Sequence, residues 1–330
     1  MTVFRAAAPV RLDFAGGWTD VPPFSTREGG VVVSAAIGLS AHAEVRPGGT
    51  GLRLVAEDLG ATLDLPDDAA LDPAGPLSLL QAGLRLLPVG PCALTTRSDA
   101  PAGSGLGSSG ALDVALVGAL AAARNEALDA GEIARLACRL EGVEAGIPGG
   151  RQDQFTAAFG GFLRLGFRDP HATVEPLALD GDLLAELERR TVLVYTGASR
   201  FSGDTISRVM RAYERGDPAV TGALHGLREV AERMADELRR GDLAGIGRLL
   251  DANWRQQLIL DPGMCTPAME RLAQAMREAG ALGGKAAGSG AGGSMFFLGP
   301  EDPAPAVAAA RGLGMTILPV RWSTVGVRAC

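Results

Sequence analysis

Apolar and polar positions follow two different periods along this chain, and the change of period divides it. Val3 to Phe14 reads as extended. Gly29 to Pro47 returns to strand-like residues, and Gly51 to Leu65 alternates enough for two short strands, LRLVAE and ATLDL. Leu77, Leu80, Leu84 and Leu87 share one face of a helix predicted over Pro76 to Leu87. A short apolar, β-branched strand over Cys92 to Thr96 precedes two helical patterns, Ala111 to Arg124 and Asp129 to Leu140. Past Thr191 to Tyr195, a strand of buried type, helices dominate. They are predicted over Asp204–Arg215, Ala219–Arg240, Leu243–Leu260 and Thr266–Ala279, the last with Thr266 as N-cap and Pro267 as first helical residue. Met295 to Leu298 reads as a strand, and Ile317 to Trp322 is expected to pair with it around a helix over Ala304 to Leu313. Together these patterns predict an α+β chain of two domains, residues 1–185 and 186–330, with no repeat and no long linker.

Three glycine-dense stretches interrupt the pattern where packing does not ask for them. PAGSGLGSSGA, Pro101 to Ala111, sits at a strand-to-helix corner. Gly103, Gly105 and Gly107 permit positive φ there, and the N–H groups of Ser108, Ser109 and Gly110 open the following helix without intrahelical acceptors. Free N–H groups and the helix dipole together favour phosphate. A tight turn that merely needs small residues is the bland alternative. Gly105, Gly107 and Gly110 also spell GxGxxG, but a dinucleotide site needs a second strand ending in an acidic residue, and Asp129 to Leu140 reads as a helix instead. No Lys-Ser or Lys-Thr follows, so a Walker loop is absent as well. The stretch GIPGGRQDQFTAAFGGF carries charged and amide residues that need partners. A third glycine loop, GGKAAGSGAGG, runs from helix toward strand with too little chain after it for a dinucleotide domain.

Composition narrows the chemistry further. With 330 residues and a formal net charge of −7, the chain can bury a large core and has no sequence-wide basic field to attract nucleic acid or an anionic membrane. Four scattered cysteines and three isolated histidines imply neither a zinc site nor a disulfide framework. Charges near the N-terminus argue against a signal peptide, and no apolar run is long enough to span a bilayer, so a cytoplasmic location is expected. A homodimer is compatible with the chain.

In their order, PVRLDFAGGWTD (Pro9 to Asp20), PAGSGLGSSGA and GKAAGSGAGG (Gly284 to Gly293) resemble the three motifs of the GHMP small-molecule kinases, and the resemblance spans nearly the whole chain. It implies a two-domain α+β fold, with an N-terminal half like ribosomal protein S5 domain 2 and a ferredoxin-like C-terminal half. It also implies ATP with Mg²⁺. On this resemblance Pro101, Gly103, Ser104, Gly105, Leu106, Gly107, Ser108 and Ser109 hold ATP, and Ser109 and Glu141 hold the metal. Asp153 serves as general base or anchor, with Arg11 beside the transferred phosphate; from the residues alone, Arg11 could instead pair with Asp13. Gly17, Trp18, Asp20, Arg151, Gln152, Arg200, Ser202, Gly290 and Gly292 are expected at the acceptor, with Arg11 and Asp153.

Within the superfamily, GIPGGRQDQFTAAFGGF, YTGASR and EAGALGGK resemble segments of heptose 7-phosphate kinases. GGWTDVPPFS and ANWRQQLILDPGMCT resemble segments of L-fucokinases. Arg151 and Arg200 suit a substrate that already carries a phosphate, because a guanidinium grips a dianion through two hydrogen bonds. These features imply a 1-kinase acting on D-glycero-D-manno-heptose 7-phosphate or a related C7 cyclitol phosphate. The alternatives are a fucokinase-type activity on an unphosphorylated sugar and a non-catalytic ligand-sensing regulator.

Overall fold

The computed structural model describes residues 2–72, 74–197 and 203–330. In chain order the strands are β1 (Phe4–Ala15), β2 (Gly30–Pro47), β3 (Gly51–Ala56), β4 (Ala61–Pro66), β5 (Cys92–Ser98), β6 (Phe162–Arg168), β7 (His171–Pro176), β8 (Thr191–Tyr195), β9 (Gly283–Ala286), β10 (Ser294–Leu298), β11 (Thr316–Leu318) and β12 (Arg328–Ala329). The helices are α1 (Phe24–Arg27), α2 (Ser78–Leu86), α3 (Ser108–Ala123), α4 (Ala130–Arg139), α5 (Gln152–Phe159), α6 (Gly181–Arg190), α7 (Gly203–Glu214), α8 (Pro218–Arg240), α9 (Leu243–Leu260), α10 (Pro267–Glu278) and α11 (Ala304–Gly312).

The first sheet has the order β12-β1-β2-β5-β3-β4. At 18 residues β2 is long enough to serve two partners on one edge, β6 along its first part and β5 along its second. β3 and β5 run parallel, and α2 lies on the crossover that this requires. α3 packs against β1 and β2 with Val114 through Ala121 all buried, as a helix that is apolar all round must be.

The second sheet is antiparallel throughout, in the order β11-β8-β10-β9. Here the sequence-based expectation needs correcting. The strand after α11 is shorter than Ile317–Trp322 and pairs with β8, not with β10, because β10 already has β8 on one side and β9 on the other. The third glycine loop is also shorter than its composition implied, since Gly283 to Ala286 form β9. The last residues return to the first sheet, where Ala6 and Ala7 of β1 pair with Ala329 and Arg328.

Residue 185 lies inside α6, in the chain between the two sheets. Each core takes residues from the other half of the chain. Val230 to Leu238 of α8 and Ile246 to Leu250 of α9 join the core under the first sheet, while Trp18, Val21 and Phe24 join the core of the second. No helix of the described residues is long and apolar enough to cross a membrane.

Candidate active site

The first and third glycine stretches, the turn after β1 and the segment that enters α5 meet around a cleft of about 310 Å³. On one wall the chain leaves β5, turns through Gly103, Gly105 and Gly107 at φ of 66°, 74° and 75°, and enters α3 with Gly107 as N-cap. The first helical bond is donated by the Ala111 N–H to the Gly107 carbonyl. The N–H groups before it are therefore available to an anion. The hydroxyls of Ser104 and Ser108 are buried with no partner among the described residues, and both residues line the cleft. Buried hydroxyls of this kind are costly unless a ligand completes them.

Small size at two glycines lets α5 approach this loop. A Cβ on Gly110 would lie 2.5 Å from the Asp153 Cβ, and one on Gly107 would lie 3.0 Å from its carboxyl carbon. Asp153, in the first turn of α5, is thus held beside the N-terminus of α3. Arg11 comes from β1, between register shifts after Pro9 and after Asp13 of the kind that re-aim side chains near functional sites. Its Nε donates to Asp153 Oδ1 at 2.7 Å, and its Nη1 donates to the carbonyls of Gly105 and Ala287 at 2.8 and 2.9 Å. Asp13, on the same strand face, is not its partner. It accepts instead from the fully buried Lys285, whose Nζ lies 2.6 Å from the Asp13 carbonyl and 3.0 Å from Oδ2.

At the opposite end of the loop the Ser109 hydroxyl donates to Glu141 Oε1 at 2.7 Å, and Gln154 Nε2 donates to Oε2 at 2.6 Å. Glu141 sits in a π-helical turn, Leu140–Glu144, that follows α4; such turns recur at functional sites. Burial raises its pKa, aided by the charge of Asp153 and opposed by the Ser109 and Gln154 hydrogen bonds. A cation among these oxygens would reverse that tendency. Ser109 and Glu141 form an all-oxygen pair lining the cleft, a donor set that fits Mg²⁺.

Gly17, Trp18, Asp20 and Gln152 also line the cleft. Asp20 Oδ2 accepts the N–H groups of Arg151 and Gln152 at 2.7 and 2.9 Å, capping the entry to α5, while Oδ1 is buried without a partner. Burial drives the Asp20 pKa from 3.8 up to about 6, with Asp153 and Asp13 adding to the shift and the two N–H bonds opposing it. A folded-state pKa above the unfolded value means that ionised Asp20 costs stability. That cost is absent below pH 4 and complete above pH 6, roughly 3 kcal/mol from the shift. Asp20→Asn is therefore expected to raise the melting temperature at pH 8 but not at pH 3.5, while weakening acceptor binding. A stability difference independent of pH would contradict this.

Several expected site residues are placed elsewhere by packing. The guanidinium of Arg151 turns away from the cleft to Asp169, at 2.6 Å, and lies 5.0 Å over the Phe167 ring. Among the described residues Arg11 is the one cation lining the cleft. Leu106 is fully buried, and its carbonyl accepts the Arg11 N–H, so it supports the loop from the core side. Gly290 faces Met264, where a Cβ would lie 2.7 Å from the carbonyl oxygen; Gly288 and Ser289 line the cleft in place of Gly290 and Gly292. Pro101 does not line it either. Arg200 and Ser202 lie outside the described residues. Sequence reasoning passed over Lys285, Gln154, Ile147 and Ile206. Lys285 stands out in its sequence as a polar residue within a small-residue run, and Gln154 as one more amide in the polar RQDQ cluster.

Comparison with known proteins gives this arrangement a context. Residues 77–161 match the model of the GHMP kinases N terminal domain, and residues 234–312 match that of the GHMP kinases C terminal domain. The chain is 32% identical to a D-glycero-alpha-D-manno-heptose 7-phosphate kinase of Campylobacter jejuni, over 90% of each chain. It is 29% identical to a bifunctional fucokinase/GDP-fucose pyrophosphorylase of Arabidopsis thaliana, covering 89% of this chain but 30% of that one. Among solved structures, a D-glycero-D-manno-heptose 1-phosphate kinase from Bacteriodes thetaiotaomicron superposes with a TM-score of 0.81 at 26% identity, covering 99% of this chain and 98% of that one.

Proposed function

Because the chain belongs to the GHMP kinase family, and so is a sugar kinase that takes its phosphate from ATP, we propose that it phosphorylates the C1 hydroxyl of a seven-carbon sugar phosphate. D-glycero-D-manno-heptose 7-phosphate is the first candidate, and a related C7 cyclitol phosphate the second. The observation that carries the choice is the likeness to a heptose 7-phosphate kinase at 32% identity over 90% of both chains, against 29% identity to the bifunctional fucokinase over 89% of this chain. In the same proposal residues 1–185 form the domain bearing the phosphate loop and the catalytic residues, and residues 186–330 the domain bearing the third glycine loop.

Each side chain has a distinct task in this reading. The Gly103–Ser109 loop holds the ATP phosphates through backbone N–H groups and the Ser104 and Ser108 hydroxyls. Ser109 and Glu141 would hold Mg²⁺, which neutralises phosphate charge when bound. Asp153 takes the proton of the acceptor hydroxyl or anchors it, and Arg11 orients Asp153 and keeps Nη2 for the transferred group. Asp20 Oδ1, Gly17, Trp18 and Gln152 receive the sugar.

One observation favours a second reading, a 1-kinase for an unphosphorylated sugar of the fucose type. Arg151 pairs with Asp169 through Nη1 and does not line the cleft, and among the described residues no cation besides Arg11 does so to grip a distal phosphate. A coupled ADP-release screen decides between the two. Heptose 7-phosphate, C7 cyclitol phosphates, L-fucose, galactose and mevalonate would be compared, with NMR locating the new phosphate. Turnover highest on a sugar 7-phosphate with product phosphate on C1 is expected. Preference for L-fucose would replace the first reading by the second.

A further inference from the structure

The segment Ala252 to Thr266 supplies no residue to the cleft wall, yet it begins with two buried amides whose only visible task is to hold the site's backbone. Asn253 and Gln257 are one helical turn apart on α9, and both are 0% exposed. Asn253 Oδ1 accepts the Gly16 N–H at 2.9 Å, and its Nδ2 donates to Gln257 Oε1 at 3.0 Å. Gln257 Nε2 donates to the Gly288 carbonyl at 3.1 Å. A backbone donor at one end and a backbone acceptor at the other fix the orientation of both amides. The chain of bonds runs from the turn that carries Trp18 and Asp20 to the third glycine loop.

We propose that Asn253 and Gln257 are positioning residues for phosphoryl transfer, acting through Gly288 on the Arg11–Asp153 pair. Gly288 presses on the phosphate loop, where a Cβ would lie 2.5 Å from the Gly105 carbonyl and 3.4 Å from Arg11 Nη2. Its neighbour Ala287 supplies one of the two carbonyls that hold Arg11 Nη1, and Gly105 supplies the other. Releasing Gly288 therefore loosens both carbonyls around Arg11, and with them the Arg11–Asp153 contact. A polar group is required at Gln257 for this purpose, because packing alone would be served by Met or Leu at a buried helical position. The inference rests on the roles given above to Arg11 and Asp153.

Gln257→Glu is close to isosteric and places an oxygen against the Gly288 carbonyl. With ATP and the acceptor giving the highest turnover in the screen, its kcat is expected to fall about tenfold to a hundredfold. KM for both substrates should stay within about threefold, since no side chain lining the cleft is replaced. Asn253→Asp keeps the acceptor for Gly16 but removes the donor to Gln257, whose amide then turns its oxygen toward Gly288. Combined with Gln257→Met, it should add no further loss in kcat, whereas independent roles would multiply. Leu249→Ala, a core truncation on the same helix, controls for lost stability and should leave kcat of the folded enzyme within about twofold.

Asp153→Asn, measured alongside, separates two failures. If it abolishes turnover while Gln257→Glu retains kcat within twofold, or falls no further than Leu249→Ala, the positioning role is overturned and the active-site reading stands. If Asp153→Asn turns over normally, both fall.

Discussion

Asp153→Asn is expected to lower kcat by about 10²- to 10⁴-fold, the range that a positioned acid–base group contributes, with KM for ATP nearly unchanged. The carboxylate accepts from Arg11 Nε at 2.7 Å through Oδ1 and sits against the N-terminus of α3, where the phosphate loop ends. In the proposed reading it thus lies where an acceptor hydroxyl would enter to meet a phosphate held by the loop. Asparagine preserves the shape and can still accept from Arg11, but it removes the charge and the proton acceptor. In the proposed reading the loop, and not this side chain, makes the nucleotide contacts, so binding of ATP is expected to survive. Steady-state kinetics with ATP and the preferred acceptor, together with titration of a non-hydrolysable ATP analogue, test this split. Turnover close to wild type would remove Asp153 from the reaction.

Lys285→Met is expected to be the most destabilising single change among the site residues, by about 3–5 kcal/mol, because it leaves the Asp13 carboxylate buried and uncompensated. The ammonium is fully buried, bonded to Asp13 at both backbone and side chain, and 5.8 Å over the Phe296 ring. Burial lowers its pKa even though Asp13 beside it acts in the opposite direction. Desolvation of both charges offsets much of their mutual attraction, while half of the pair is a large loss. The double variant Lys285→Met with Asp13→Asn should accordingly recover most of the lost stability. Urea denaturation of the wild type, the single variant and the double variant at pH 7 reads this directly. A single variant as stable as the wild type, or a double variant worse than the single, would contradict the account. The pair ties β9 to β1, one strand from each sheet, so the same variants also report how far the cleft depends on that tie.

Both of these residues stood in motifs visible in the sequence, but they were visible to different degrees. Asp153 drew notice because a charged residue among glycines and apolar residues has no packing reason to be there. Lys285 drew none, since a lysine between small residues before a glycine loop looks solvated, and only the approach of β9 to β1 buries it. Arg151 shows the converse. Its place beside Gln152 and Asp153 in the chain suggested the cleft, but it enters α5 as the N-cap residue, and from there its side chain reaches Asp169 after β6.

By itself the sequence determined many of the elements, though not α5, α6, β6, β7 or β9, and the chemistry that glycine and serine can offer. Periodicity marked β1, β2, β5 and most helices, since a period is a local property of side chains facing one core. Glycine loops in this order resembled the GHMP kinase motifs and so implied a phosphate site. What joined the elements was decided by tertiary structure alone. β11 chose β8, β12 returned to β1, and Arg11 took Asp153 and not its own neighbour Asp13. Such choices depend on which backbone edges remain unpaired and which buried charges can reach each other. Both are long-range facts that no stretch of residues carries alone.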